Sequence, residues 1–220
     1  MDGKRKGKGL PDFSYESKFW EKGLLVGGAD EVGRGALAGP VMAGFVVFKP
    51  KTKLEVEIND SKLLSPRKRE EASLWIKQNA LLWAIGESDV NTINQKGIVK
   101  ATQKAFRRAI SHQSSIINHL LLDAFYVPYI NGIGKKNQTP IVKGDQKAIS
   151  IAAASIIAKV ERDAIMTFLS KQKTLKIYAW DKNKGYGTKA HKEAIIRFGP
   201  SKEHRKLFIS SFFSQAQSEI

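Results

Sequence analysis

The sequence predicts a mixed α/β fold, a sheet with helices packed against it. Three observations lead there. Short apolar runs of strand length alternate with longer segments that carry helix start and stop signals. Several of those runs end in an aspartate, as strands of α/β sheets do where their loops converge on a site. One long segment, from Ser150 to about Leu169, is rich in Ala and Ile on nearly every face, the pattern of a buried helix.

The elements follow in order. Leu24-Leu25-Val26 reads as a first strand, and the run from Val41 to Phe48 as a second, with the turn Asp30-Glu31-Val32-Gly33-Arg34-Gly35 between them. Residues 54–58 alternate with period two and predict a third strand continuing an antiparallel meander. Ser65-Pro66 offers an N-cap followed by proline at the first helical position, opening a helix to about Gln78. Residues 81–86 form the next strand, and Asp89 caps a helix to about Ile110 with a weak interior at Gly97. His119 to Asp123 is a short buried strand, and Thr139 to Val142 another that runs into Lys143-Gly144-Asp145. After the Ala-rich helix comes a glycine-rich turn, residues 184–188, then a helix stopped by Gly199-Pro200.

Charge narrows the partner. The chain of 220 residues carries 37 Lys+Arg against 21 Asp+Glu, a formal net charge of +16, which favours a polyanion. Its apolar runs fall far short of the roughly 20 residues that a bilayer span needs, so no membrane partner is expected. The first nine residues are basic without the apolar centre of a signal peptide, and residues 1–19 are expected to be a disordered arm. With no Cys there is neither a disulfide nor a thiolate zinc site, which suits a cytoplasmic protein using a hard cation. Residues 20–220 are expected to form one domain, helical from about residue 180.

The turn at residues 30–35 carries the chemistry. A glycine-rich turn ordinarily cradles phosphate with backbone N–H groups, yet Asp30 and Glu31 would repel it. A divalent cation between carboxylate and phosphate removes the conflict. Asp123 and Asp145 are further candidates, though each alone is as readily a turn former or helix cap. Lys62, Lys143 and Lys147 lie near the acids in sequence and could contact phosphate, although single lysines are more often solvated. Ser155 reads as a small packing residue and Asp163 as a helix-pair partner of Lys159. The four histidines show no metal-ligand pattern; His204, followed by Arg205, could face substrate but is at least as readily structural.

These residues, taken together, resemble a known family. Gly28-Ala29-Asp30-Glu31-Val32-Gly33-Arg34-Gly35 with Ala38-Gly39-Pro40-Val41 is similar to the signature of type 2 ribonucleases H, ribonuclease HII. Asn59-Asp60-Ser61-Lys62-Leu63, Leu121-Leu122-Asp123, the run from Lys143 to Asp163, and Gly185-Tyr186-Gly187-Thr188 with Phe198-Gly199-Pro200 and His204-Arg205 resemble its later blocks, in order, over roughly residues 20–213. The resemblance implies an RNase H-like mixed sheet flanked by helices, with a C-terminal helical extension. It implies metal-binding catalytic carboxylates at Asp30, Glu31, Asp123 and Asp145, holding two ions of Mg²⁺ or Mn²⁺. The implied substrates are RNA–DNA hybrids and DNA duplexes with embedded ribonucleotides, cut 5′ of the ribonucleotide to leave a 3′-hydroxyl and a 5′-phosphate. Gly33-Arg34-Gly35 would read the 2′-OH and its flanking phosphate, Tyr186 would stack on the next, deoxy, sugar, and Lys62 and Lys143 would contact the backbone. A monomer is expected, and ribonuclease HII over its sister HIII, since only about 20 residues precede the first block. Two positions depart from the family pattern: Ala29 where a larger aliphatic is usual, and Ala124 where glycine is common after Asp123. The alternatives are a non-catalytic nucleic-acid binder on the same fold, or another RNase H-like nuclease such as a transposase or resolvase.

Overall fold

The computed structural model describes residues 10–210 and 212. Strands β1 (Val26–Val32), β2 (Val41–Val47), β3 (Leu82–Ser88), β4 (His119–Asp123) and β5 (Gln138–Ile141) form one sheet in the order β3-β2-β1-β4-β5. β2 pairs antiparallel with β1 and β3, whereas β4 runs parallel to β1 and β5 parallel to β4. Parallel pairs need crossovers, and helices supply the longest one.

Helix α2 (Pro66–Asn79) starts as its sequence dictates, with Ser65 Oγ accepting from Lys68 N–H. Helix α3 (Val90–Ile110) is capped by Asp89, which accepts from Thr92 N–H at 2.6 Å, and is kinked at Gly97, whose φ of 78° is non-helical. α3 covers one face of the sheet, packing Ala105, Phe106 and Ala109 on Ala29, Phe45 and Leu122. Helix α4 (Ile149–Ser170) lies on the other face beside α2, with Ile149, Ala153 and Ile156 against Val46, Trp75 and Ile76. That helix sits very close to the strands. A Cβ on Gly44 would run into the Ala154 carbonyl, and one on Gly28 into the backbone of Ser150. Alanines on the helix and glycines on the strands are two halves of one close approach. A third layer follows: α5 (Trp180–Asn183), α6 (Lys189–Phe198) and a helical stretch over 206–210 bury Tyr178, Trp180 and Ile195 against Met166 of α4.

Three expectations need correction. Residues 54–58 are not a strand. The outer edge of β2 is taken by β3, and side chains tie the segment to α2 instead: Trp75 Nε1 donates to Glu55 at 3.2 Å and Lys68 bonds Glu57 at 2.8 Å. The first strand begins at Val26 and extends through Val32, so Asp30 and Glu31 sit within it, opposite Gly44 and Ala43, and the turn starts later. The N-terminal arm is shorter than expected. Ser14–Trp20 forms helix α1, and its Glu16 is fully buried, accepting from both Ser150 N–H (2.8 Å) and Ser150 Oγ–H (2.6 Å) at the start of α4. Residues 1–9 of that arm lie outside the described residues.

Candidate active site

The parallel register puts Ala29 opposite Leu122, so the next residues along, Asp30 within β1 and Asp123 at the end of β4, stand side by side. Asp145 reaches the same place from β5. Lys143 takes a left-handed conformation (φ 56°, ψ 48°) that reverses the chain into a single 3-10 turn, Gly144–Gln146. Gly144 N–H then donates to Asp123 Oδ1 at 2.7 Å, tying the two acid-bearing loops together. Ala124 also has positive φ (62°), so the turn after Asp123 keeps a left-handed bend without the family's glycine.

Burial and neighbouring charge shift three of these acids. Burial pushes Asp30 well above the usual carboxylate range, and the charges of Glu31, Asp123 and Asp145 push the same way against a hydrogen bond from Ser155. Burial also raises Glu31, with Arg34 opposing and Asp123 adding, and raises Asp145, with Asp60 and Asp123 adding and Lys62 opposing. Lys62 is driven the other way: burial disfavours its charge, but Asp60, Asp145 and Asp30 together outweigh that. A hard divalent cation is the group that such crowded oxygens fit. The carboxylates are not preassembled as a cage, since among the described residues no three His, Asp or Glu side chains are already set to hold a metal ion. Their oxygens are engaged by donors instead: Asp30 Oδ1 accepts from Glu31 N–H at 2.7 Å, Asp123 from Gly144, and Glu31 Oε1 from Arg34 at 3.5 Å. These are rotatable carboxylates and polar donors, which fit a cation by chemistry and charge rather than by fixed geometry.

Beside the acids opens a cleft of about 380 Å³ lined by Glu31, Gly33, Arg34, Gly35, Ser61, Lys62, Lys159 and Tyr186. Residues far apart in sequence thus share one wall with Glu31. Arg34 and Gly35 are exposed, while Gly33 is buried at φ 80° against Arg162. Lys143 does not join them; it lines a separate groove with Leu10, Asp12, Tyr15 and Lys147.

Sequence reasoning missed the roles of four residues that build this site. Asp60 is buried; its Oδ1 accepts from Lys62 N–H at 3.0 Å and its Oδ2 from Gln146 at 3.1 Å, linking the Lys62 loop to the Asp145 turn. Ser155 is more than filler, bonding Ser61 Oγ at 3.1 Å as well as Asp30. Arg162 and Arg205 are both fully buried. Arg162 donates to the carbonyls of Pro40, Ala38 and Lys184, and Arg205 to those of Gly39, Pro40 and Arg34. Burial pushes the Arg205 guanidinium down to about 9, with Arg162 adding to the effect, so it stays charged at neutral pH. Asp163 pairs with Lys159 at 2.7 Å and with Arg69 at 3.5 Å, a structural arrangement as expected.

Comparison with known proteins agrees with this architecture. A family model described as Ribonuclease HII matches residues 27–214. Ribonuclease HII of Caldanaerobacter subterraneus is 46% identical over 196 residues, covering 89% of this chain and 78% of the relative. Ribonuclease HII of Bacillus subtilis is 42% identical over 196 residues, covering 89% and 74%. Among solved structures, ribonuclease H2 from Pyrococcus horikoshii superimposes with a TM-score of 0.68 at 19% identity, over 88% of this chain and 99% of that one. Bst-RNase HIII in complex with Mn²⁺ gives 0.69 at 17% identity, over 89% and 70%. At such identities the structural matches speak for the fold alone.

Proposed function

The chain belongs to the ribonuclease HII family, and from that premise we propose that it cuts a duplex on the 5′ side of a ribonucleotide, including a single ribonucleotide embedded in DNA. The family places it among ribonuclease H-type endoribonucleases that depend on divalent metal. One observation carries the finer reading: carboxylates from β1, β4 and the turn after β5 crowd the end of a cleft otherwise walled by Arg34, Lys62, Lys159 and open glycine backbone. A protein that only bound polyanions would gain nothing from acids facing phosphate.

Asp30, Glu31, Asp123 and Asp145 would hold Mg²⁺ or Mn²⁺, as a pair in the proposal. When bound, such ions supply Lewis acidity to the scissile phosphate and ready a water for in-line attack, leaving a 3′-hydroxyl and a 5′-phosphate. The chain's own groups do the rest. Lys62 and Arg34 neutralise phosphate oxygens, and the exposed Arg34-Gly35 backbone can approach the ribose closely enough to test for a 2′-OH. Tyr186, half-buried beside Lys159 and Arg162, offers its ring to the following sugar. Lys143, from its separate groove, contacts duplex backbone further along. A cytoplasmic monomer completes the proposal; among the described residues no helix is long and apolar enough to cross a membrane.

The test is an end-labelled DNA duplex containing one ribonucleotide, incubated with Mg²⁺, Mn²⁺ or chelator beside an all-DNA control. A metal-dependent cut immediately 5′ of the ribonucleotide is expected; salt-sensitive binding without a cut would favour the non-catalytic binder. Tyr186→Ala is expected to lower preference for the ribonucleotide–deoxynucleotide junction over an all-RNA strand by on the order of tenfold, since a stacking contact is worth ~1–3 kcal/mol. An unchanged preference would take Tyr186 out of recognition.

Cation and proton compete at this site. With Asp30, Glu31 and Asp145 raised in the fold, the folded chain binds protons there more tightly than the unfolded chain. The sign is therefore destabilising on alkalinisation: stability falls as pH rises from the ordinary carboxylate range through the raised values, then levels off. Mn²⁺ or Mg²⁺ is expected to restore part of that loss at pH 8, raising the melting temperature, with chelator reversing the gain. The increment should fade as pH is lowered into the raised carboxylate range. A thermal-shift series across pH reads this directly, and a metal increment indifferent to pH would place the cation elsewhere.

A further inference from the structure

Beneath Tyr186, three buried side chains from different segments meet: Trp180 of α5, His191 of α6 and His204 beyond it. Their contacts determine where each hydrogen sits. Ser201 N–H points at His204 Nδ1 from 2.9 Å, so that nitrogen accepts and His204 carries its hydrogen on Nε2. His204 Nε2 faces His191 Nε2 at 3.2 Å. Trp180 Nε1, which can only donate, faces the same His191 nitrogen at 3.0 Å. His191 Nε2 therefore accepts from both, and its hydrogen lies on Nδ1. That Nδ1 is 2.9 Å from the Tyr186 carbonyl oxygen, which can only accept. One neutral tautomer at each ring satisfies every contact, and a second proton on either would set two donors face to face. Burial lowers His191 and pushes His204 down to about 4, in keeping with neutral rings.

We infer that His191 is a positioning residue for Tyr186, holding the backbone of the junction-reading residue through an Nδ1–H whose place is dictated by Trp180 and His204. The inference rests on the proposed role of Tyr186. The Tyr186 carbonyl also accepts from Thr188 N–H at 2.8 Å, and Thr188 Oγ accepts from His191 N–H at 3.3 Å. The tyrosine turn and the start of α6 are thus one hydrogen-bonded unit, with the imidazole as its brace. Arg162, beneath the tyrosine ring at 5.3 Å, donates to the Lys184 carbonyl two residues upstream at 2.9 Å and steadies the other side of the turn. With both ends of the turn fastened, the ring can be presented to a sugar without paying the entropy of ordering it.

The test has two independent readouts. Long-range ¹H–¹⁵N correlation of the imidazoles in the free protein is expected to show His191 as the Nδ1–H tautomer and His204 as the Nε2–H tautomer; the opposite tautomer at His191 overturns the inference whatever the cleavage data show. The second readout is the ratio of kcat/KM at the ribonucleotide–deoxynucleotide junction to that on an all-RNA strand. His191→Phe fills the ring space without the hydrogen bond and is expected to lower the ratio by about tenfold, a loss of one such contact. His191→Asn, whose side-chain amide nitrogen falls near the place of Nδ1, is expected to recover most of it. Combined with Tyr186→Ala, His191→Phe should lower the ratio no further. Loss of the ratio to the same extent in the Tyr186→Ala background, or a folded His191→Phe with the wild-type ratio, overturns the inference. A wild-type ratio in Tyr186→Ala itself would strike the role of the ring, while the tautomer still reports on the hydrogen bond.

Discussion

Asp30→Asn is expected to abolish hydrolysis and, at the same time, to make the protein more stable. The loss follows from the carboxylate's place at the junction of β1 and β4, where it would share in stabilising transition-state charge worth several kcal/mol, or on the order of 10³-fold in rate. The gain follows from burial. Asp30 is pushed well above its ordinary range because its charge is desolvated and faces Glu31, Asp123 and Asp145, so the fold disfavours its ionised form. Asparagine removes the charge and keeps the side-chain oxygen that accepts from Glu31 N–H; the Ser155 hydroxyl can turn from donor to acceptor. Each kcal/mol so recovered raises the melting temperature of a domain this size by ~2–4 °C. Duplex binding should be unchanged or tighter, because one negative charge facing phosphate is gone. Three assays on one purified variant settle it: cleavage, fluorescence anisotropy with labelled duplex, and thermal shift. A variant that is inactive but also less stable would mean Asp30 serves the fold, and the catalytic reading of the acid cluster would lose its energetic basis.

That opposition of stability and activity explains what the chain shows before folding and what it hides. Signals carried by neighbouring residues were legible. The caps at Ser65 and Asp89 lie where Ser-Pro and Asp place them, and β4 spans the expected residues His119–Asp123 around its apolar centre. The acids stood out because carboxylates in a glycine-rich segment of a basic chain conflict with phosphate unless a cation intervenes. What depends on distant partners was not legible. Period-two alternation at 54–58 cannot reveal that β3 already occupies the outer edge of β2, and a seven-residue helix such as α1 is too short for a periodic signal. Its buried Glu16, serving the start of α4 from 134 residues away, has no local trace at all. Arg162 and Arg205 were hidden for a related reason. Charged residues read as surface by default, and only the fold shows that seven hydrogen bonds to backbone carbonyls, spread over residues 34–40 and 184, take the place of water around them.

Gly33 and Gly35 look alike in the sequence, yet the structure separates them, and their alanine variants should fail in opposite ways. Gly33 is buried at φ 80°, a conformation that costs an alanine about 1–2 kcal/mol, and its Cβ would strike the Arg162 guanidinium and its Cδ. Arg162 cannot yield cheaply. It donates to Pro40, Ala38 and Lys184 carbonyls at 2.9, 3.0 and 2.9 Å, and each buried carbonyl left unpaired costs ~1–3 kcal/mol. Gly33→Ala should therefore lose on the order of 3 kcal/mol or more, a fall of roughly 6–12 °C in melting temperature. Gly35 has ordinary φ and no atom within 4 Å of where a Cβ would stand. Gly35→Ala should melt with the wild type, and its methyl would instead occupy the space through which ribose reaches the backbone, raising KM on ribonucleotide substrates. Thermal melting and steady-state kinetics on the two variants give a crossed pattern if Gly33 belongs to the fold and Gly35 to the substrate. Should Gly35→Ala keep wild-type KM, the 2′-OH is read elsewhere in the cleft, where Arg34, Ser61, Lys62 and Lys159 offer polar side chains.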